Sequence, residues 1–244
     1  MLRAVILAAG RGLRLGSPLG DQPKIMLSFG GKTLLKRHLA MLQGFGVNEV
    51  VIATGFHAGI IEQALAGHPG IRTISNPDFE RGSVVTLHRL GPALTAGGDV
   101  LVMDADVLCH PDMVRPLLEP GDDIRFLLDR DFEPGDEPVK LLLDNGKPVE
   151  FRKKVDPVRH DTVGESVGFF RFSATMAGRL AKRAAEYVAA GRLDEPYEEV
   201  IRDLVLAGTG RQTASDITGL PWVEIDFPAD VERAATDILP RLPN

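Results

Sequence analysis

The sequence predicts an α/β fold: a Rossmann-like, mostly parallel twisted sheet with helices on both faces, plus a smaller β-rich insertion in the second half. Three observations predict it. Apolar runs alternate with amphipathic ones through the first 123 residues, the rhythm of a parallel sheet covered on both sides. Strand-like runs then crowd together after Ile124, with Asn145-Gly146 as a hairpin signal between two of them. Finally, a glycine-rich loop follows the first apolar run at once, at the sheet edge where open α/β folds bind ligands.

The elements read in order as follows. Ala4 to Leu7 is a buried strand. Thr33 to Phe45 carries Leu34, Leu35, Leu39 and Leu42 at helical spacing, with Thr33 placed to cap it and Gly44 and Gly46 to close it. Glu49 to Thr54 is a second buried strand and His57 to Ala66 a second helix, ended by Gly67 and Pro69. A strand at Ile71 to Ile74, a helix at Ser83 to Leu90, a strand at Asp99 to Met103 and a helix at Pro111 to Leu118 complete the first part. The second part offers strands at Ile124 to Leu128, Val139 to Leu143, Val149 to Lys153 and Ser166 to Phe172. Helices at Ala174 to Ala190 and Glu198 to Ala207 follow, then a strand at Trp222 to Ile225 and a helix at Pro228 to Leu239. No repeat or linker splits the chain, so its 244 residues form one domain. Within it, 1–123 is expected as the parallel-sheet part, 124–221 as the β-rich insertion, and 222–244 as a returning strand and terminal helix.

Composition narrows the classes. The formal net charge of −6 argues against a nucleic-acid surface, so any phosphate site must rest on a local cluster of cations. The single cysteine, Cys109, cannot form an internal disulfide, which fits a reducing compartment. No signal-peptide core and no apolar run of spanning length is present; the expectation is a cytoplasmic enzyme with no direct membrane insertion.

The loop carries the chemistry. Leu7-Ala8-Ala9-Gly10-Arg11-Gly12-Leu13-Arg14-Leu15 is followed by Gln22-Pro23-Lys24. Small residues let backbone N–H groups approach phosphate oxygens, and Arg11, Arg14 and Lys24 add fixed positive charge. The dinucleotide fingerprint does not fit, since Leu15 stands where its third glycine belongs. Nor does a P-loop ending at Gly31-Lys32-Thr33, whose first glycine would be Met26. The string L-A-A-G-x-G-x-R-L with a following P-K resembles the signature of the nucleotidyltransferases, which join a nucleoside monophosphate to a phosphorylated sugar or alcohol. The resemblance extends over most of the chain. In size it is nearest the cytidylyltransferases that activate choline phosphate, inositol phosphate or aminoethylphosphonate.

Asp104 and Asp106, two apart at a strand exit, have the spacing to share one hard cation such as Mg²⁺, or Mn²⁺; an aspartate pair is also ordinary turn chemistry. The resemblance implies that Asp106 is a metal ligand, with Asp104 a less constant neighbour near the nucleotide. It makes Asp226, in Trp222-Val223-Glu224-Ile225-Asp226, the second ligand, where the residues alone suggest a helix cap. It also implies that Leu7, Ala8, Ala9, Gly10, Arg11, Gly12, Gly82 and Ser83 contact the nucleotide, although Ser83 reads equally as an N-cap. The resemblance also gives Arg14 and Lys24 the catalytic role. Thr54-Gly55-Phe56 matches a family turn bordering the acceptor side.

For acceptor binding, Glu150, Lys153 and Glu165 are the candidates, with solvated strand-edge residues as the plainer explanation. The acidic run Asp129 to Glu137 is either a solvated loop or an attraction for a cationic acceptor. One Trp and two Tyr make a poor aromatic cage for a quaternary ammonium. The expected partners are a nucleoside triphosphate and a small phosphorylated acceptor, with no nucleic acid; the second half leaves room for a homodimer. The expected reaction transfers CMP from CTP, releases pyrophosphate and gives a CDP-alcohol. A sugar-1-phosphate nucleotidylyltransferase is the alternative in the same class. A nucleotide-sugar glycosyltransferase or a non-catalytic nucleotide-binding module are the alternatives in others.

Overall fold

The computed structural model describes residues 2–16, 20–133 and 135–243. Its first strand, β1 (Leu2–Ala8), runs into the glycine-rich loop. A small ribbon, β2 (Ser28–Phe29) with β3 (Lys32–Thr33), leads into α1 (Leu34–Gly44), and Thr33 caps that helix by accepting the Lys36 N–H at 3.2 Å. Then come β4 (Glu49–Thr54), α2 (Ala58–Ala64), β5 (Ile71–Ser75), α3 (Ser83–Arg89), the short α4 (Gly91–Leu94), β6 (Asp99–Asp104) and β7 (Val107–Cys109). The segment Pro111–Leu118 is a 3₁₀ helix rather than an α-helix, and Pro116 inside it has no N–H to give. The second half contributes β8 (Ile124–Asp129), β9 (Lys140–Asp144), β10 (Lys147–Arg152), β11 (Thr162–Phe172), α5 (Ala174–Ala189), α6 (Tyr197–Leu206), β12 (Gln212–Asp216), β13 (Trp222–Glu224) and α7 (Pro228–Arg233). The last predicted helix is shorter as an α-helix than expected; beyond Arg233 it loosens into a π turn and a 3₁₀ turn, Leu239–Arg241.

Nine strands form one sheet, in the order β10-β9-β11-β6-β1-β4-β5, with β8 also on β11 and β12 on β8. β1 is parallel to β4 and β6, and β4 to β5. β11 is the junction: antiparallel to β6, β8 and β9, it joins the strands of the second half to the same sheet. Asn145 and Gly146 both have positive φ, as the tight β9–β10 hairpin requires. Alternation along β1 sends Ala4 and Ile6 to one core and Val5 to the other, so both faces are covered. No helix among the described residues is long and apolar enough to cross a membrane.

Two features place the site. The chain runs from β1 to β4 on one side and returns to β6 on the other, so the crevice at the carboxyl ends opens beside β1. β7 and β13 then pair as a separate ribbon, Glu224 opposite Val107, and Ile225 N–H donates to the Asp106 carbonyl at 3.0 Å. This pairing carries Asp226 across more than a hundred residues of sequence to stand beside Asp106.

Candidate active site

The glycine-rich loop leaves β1 through Gly12, whose φ of 65° lies in the left-handed region that favours glycine. Buried Leu15 anchors the loop on one side. Farther on, Pro23 fixes the approach to a 3₁₀ turn, Lys24–Met26, in which buried Ile25 is the anchor and Lys24 faces the crevice. Lys24 Nζ donates to Asp106 Oδ2 at 2.8 Å and to Asp226 Oδ1 at 2.7 Å. Arg14 donates to Asp226 Oδ2 at 2.7 Å and to Glu137 at 3.0 Å, with its guanidinium over the Phe227 ring at 5.1 Å. Asp226 is itself held in place: the Asp230 carboxylate accepts the N–H of Asp226 at 2.9 Å and of Phe227 at 2.6 Å. Asp226 therefore serves the crevice and Asp230 supports the turn, whereas the helix cap is Phe227.

Three carboxylates, from Asp106, Glu224 and Asp226, bring oxygens within 4.8 Å of one another. An all-oxygen donor set of this kind suits a hard divalent cation. Lys24 places its ammonium between two of them and meets part of their charge. Glu224 was not singled out from the sequence; it ends β13, two residues before Asp226. Burial works against the Lys24 charge, but Asp106 and Asp226 outweigh it and hold its pKa above the ordinary lysine range. Glu224 is the exposed member of the three, yet the protein atoms crowding its carboxyl, and then Asp106 and Asp226, push it above the usual range.

A cleft of about 440 Å³ opens over the loop. Leu7, Ala8, Gly10, Arg11, Gly12, Arg14, Lys24 and Asp106, all expected at the site, line it. Other expected residues stand elsewhere. Ala9 is buried, and its carbonyl accepts the Phe56 N–H at 3.0 Å. Gly82 and Ser83 do not face the cleft: Gly82 lies tight against the backbone of Asp194 and Glu195, and Ser83 Oγ accepts the Tyr197 N–H at 2.8 Å, capping α6 rather than its own helix. Phe79, Glu80 and Arg81 line the cleft in their place. The Thr54–Phe56 turn borders this same cleft, since Gly55 abuts Phe79 and Arg11 stacks over Phe56 at 5.3 Å.

Asp104 belongs to a second, smaller cavity of about 80 Å³, which shares Arg14 with the first. Tyr197, missed by sequence reading because nothing local marks it, donates its hydroxyl to Asp104 Oδ2 at 2.8 Å. Burial and then Asp106 raise the Asp104 pKa well above the ordinary value. Asp104 fits only because Gly168 faces it. Gly168 has φ of 74° at an irregularity in the β11–β8 register, and a Cβ there would run into the Asp104 carboxylate. Gly168→Ala is accordingly expected to cost about 1–2 kcal/mol from the backbone alone, and more once Asp104 is displaced, as urea denaturation will measure.

Of the acceptor candidates, Lys153 lines the small cavity and pairs with Glu137 at 3.3 Å. Glu150 is a correction: it is 6% exposed, and Arg202 donates to both its oxygens at 2.6 and 2.8 Å, so it is spent inside the fold. Glu165 lines neither cavity. Burial, followed by the nearby Asp129, pushes its carboxyl up to about 7. Folded protein then holds a proton that the unfolded chain has lost, so this group stabilises at low pH and the contribution disappears as pH rises toward 7. Glu165→Gln is expected to flatten that fall in stability, measured by denaturation at pH 5 and pH 8. The acidic run is likewise partly structural, with Asp129 accepting the Trp222 indole N–H at 2.7 Å.

The comparisons with known proteins agree with this geometry. Residues 4–142 match the MobA-like NTP transferase domain. The bifunctional IPC transferase and DIPP synthase of Rubrobacter xylanophilus is 31% identical over 97% of this chain and 52% of its own length. The CMP-5′-(3-aminopropyl)phosphonate synthase of Streptomyces rubellomurinus is 26% identical over 96% of this chain and 38% of its own. The chain thus spans about half the first relative and less of the second. Among solved structures, the inositol-1-phosphate CTP transferase from T. maritima superposes with a TM-score of 0.77 over 98% of this chain and 95% of that one, at 21% identity, which establishes a shared fold. With its glycine loop, sheet order and matched residues in agreement, the chain belongs to the family of MobA-like NTP transferase domains.

Proposed function

We propose that the protein transfers CMP from CTP to a small acceptor bearing a phosphate or phosphonate, releasing pyrophosphate and giving a CDP-alcohol-type product, with Mg²⁺ bound by Asp106, Glu224 and Asp226. The observation that carries this reading is the convergence of Arg14 and Lys24 on Asp106, which lines the larger cleft, and on Asp226, which lines the smaller one. The relatives, a CMP-5′-(3-aminopropyl)phosphonate synthase and an inositol-1-phosphate CTP transferase, support the choice of nucleotide and acceptor class.

An acceptor oxygen that is already anionic needs no general base. The protein's task is to hold two anions in line and to offset the charge that builds at the α-phosphorus. Backbone N–H groups of the glycine loop and Arg11 bind the triphosphate, Arg14 stands between the two anions, and Lys24 meets the charge that grows as the pyrophosphate bond breaks. The divalent cation, when bound, supplies Lewis-acid polarisation of phosphate oxygens.

The test is to incubate the protein with each of the four ribonucleoside triphosphates, Mg²⁺ and a panel of phospho-alcohols and alkylphosphonates, and to measure pyrophosphate. Acceptor-dependent release with CTP is expected. No release above the acceptor-free control with any pair overturns the reading.

A further inference from the structure

His38 sits in the apolar stripe of α1, among buried Leu34, Leu35, Leu39 and Leu42, with its ring edge against Phe169 of β11 at 5.8 Å. Its Nε2 lies 2.8 Å from the Val107 carbonyl. A carbonyl only accepts, so Nε2 carries the proton. Nδ1 is then a bare acceptor, shielded from solvent and without a partner. A leucine at this place would leave no such atom unanswered, so what the histidine contributes is the donor at Nε2. The Val107 carbonyl has need of one. In an antiparallel ribbon, successive residues alternate between bonding the partner strand and turning away from it. Asp106 bonds the partner, since its carbonyl accepts the Ile225 N–H. Val107, one residue on and buried, turns its carbonyl toward α1 instead.

We infer that His38 is a positioning residue for Asp106: by holding the peptide that follows the aspartate, it sets that carboxylate against Lys24. The inference deepens the transferase reading and rests on it only for the effect on turnover. Two facts give the contact this reach. First, the Asp106–Val107 turn is pinned on both sides, by Ile225 beyond β13 and by His38 of α1. Second, α1 also holds the lysine. The Leu34 N–H, at the start of the helix, donates to the Leu27 carbonyl at 3.0 Å, and the Leu27 N–H donates to the Lys24 carbonyl at 2.9 Å. One helix therefore fixes the backbone of Lys24 from its first residue and the backbone beyond Asp106 from His38, one turn later. The 2.8 Å contact between the Lys24 and Asp106 side chains depends on that spacing. His38 does for Asp106 what Asp230 does for Asp226. Removing a group that orients a site carboxylate commonly costs about 10–100-fold in affinity or activity.

The experiment uses His38→Leu, which removes the donor, and His38→Gln, whose amide nitrogen reaches the Nε2 position. Native-state amide exchange followed by NMR reads the Ile225 N–H, which reports the Asp106 turn, against the Ile52 N–H of β4, which reports the fold. His38→Leu is expected to speed Ile225 exchange about tenfold relative to Ile52, and to lower kcat for pyrophosphate release about tenfold with little change in the KM for CTP. His38→Gln is expected to stay near wild type in both. Should His38→Leu not fold, His38→Asn, whose shorter amide falls short of Val107, takes its place. Exchange that rises equally at Ile225 and Ile52, exchange unchanged at Ile225, or a His38→Gln variant no better than His38→Leu overturns the inference. A local rise at Ile225 without any change in kcat also overturns it and leaves the transferase standing. A wild type that releases no pyrophosphate sinks the transferase instead, and the exchange contrast then decides the role of His38 by itself.

Discussion

Lys24→Ala is expected to lower kcat about 10²–10³-fold while moving the KM for the triphosphate far less, because a donor aimed at developing charge acts mainly in the transition state. The structure gives three reasons for so large an effect. The side chain is only 14% exposed, so its field is poorly screened by water. Its position is fixed beforehand by the Pro23 turn, by buried Ile25 and by two carboxylate partners, and such preorganisation spares the cost of arranging the charge during reaction. Its protonation is secure, since Asp106 and Asp226 hold the ammonium above the ordinary range despite burial. Lys24→Arg is expected to restore little, because a planar fork does not replace a compact point charge in a narrow slot. Steady-state pyrophosphate release at varied triphosphate separates kcat from KM; an unchanged kcat in Lys24→Ala removes the residue from the mechanism.

The second large effect belongs to Asp226. Asp226→Asn keeps the volume and removes the charge, and it is expected to weaken Mn²⁺ binding at least tenfold and to depress kcat/KM about 10³-fold. Asp226 is the residue on which the arrangement depends. One oxygen takes Lys24, the other takes Arg14, and its backbone is fixed by Asp230. Neutralising it leaves two cations facing one remaining partner each, Asp106 for Lys24 and Glu137 for Arg14, and removes one of the three carboxylates that would share the metal. Mn²⁺ titration followed by electron paramagnetic resonance reads the metal directly, without turnover. Full retention of Mn²⁺ affinity in Asp226→Asn excludes it from the cation site, whatever the effect on rate.

The parts of the site that could be read from sequence are those whose chemistry demands a local pattern. A backbone that must wrap phosphate needs small residues in succession, so Gly10, Gly12 and the cations that follow announce themselves, as does Asn145-Gly146, whose turn requires two positive φ angles. The pairing of Asp106 with Asp226 lies beyond any such pattern, because it is made by a three-residue ribbon between distant strands, and it was available only through resemblance. Glu150 misled for the opposite reason: alternation puts it on a strand face, but nothing in that pattern tells that α6 presents Arg202 to it. Ser83 looked like a cap and is one, for a helix more than a hundred residues away. β12 escaped notice because Gln-Thr-Ala-Ser-Asp has no apolar alternation; it is held by parallel pairing with β8 and by little burial of its own.

Under the proposed function, the wall common to the two cavities couples the two substrates. One guanidinium, that of Arg14, borders both spaces, so whichever anion arrives first alters the field met by the second. Thermodynamic linkage makes that influence equal in both directions. On that reading the affinity measured for either substrate alone is not the affinity that governs the ternary complex, and the coupling between the two runs through a single side chain.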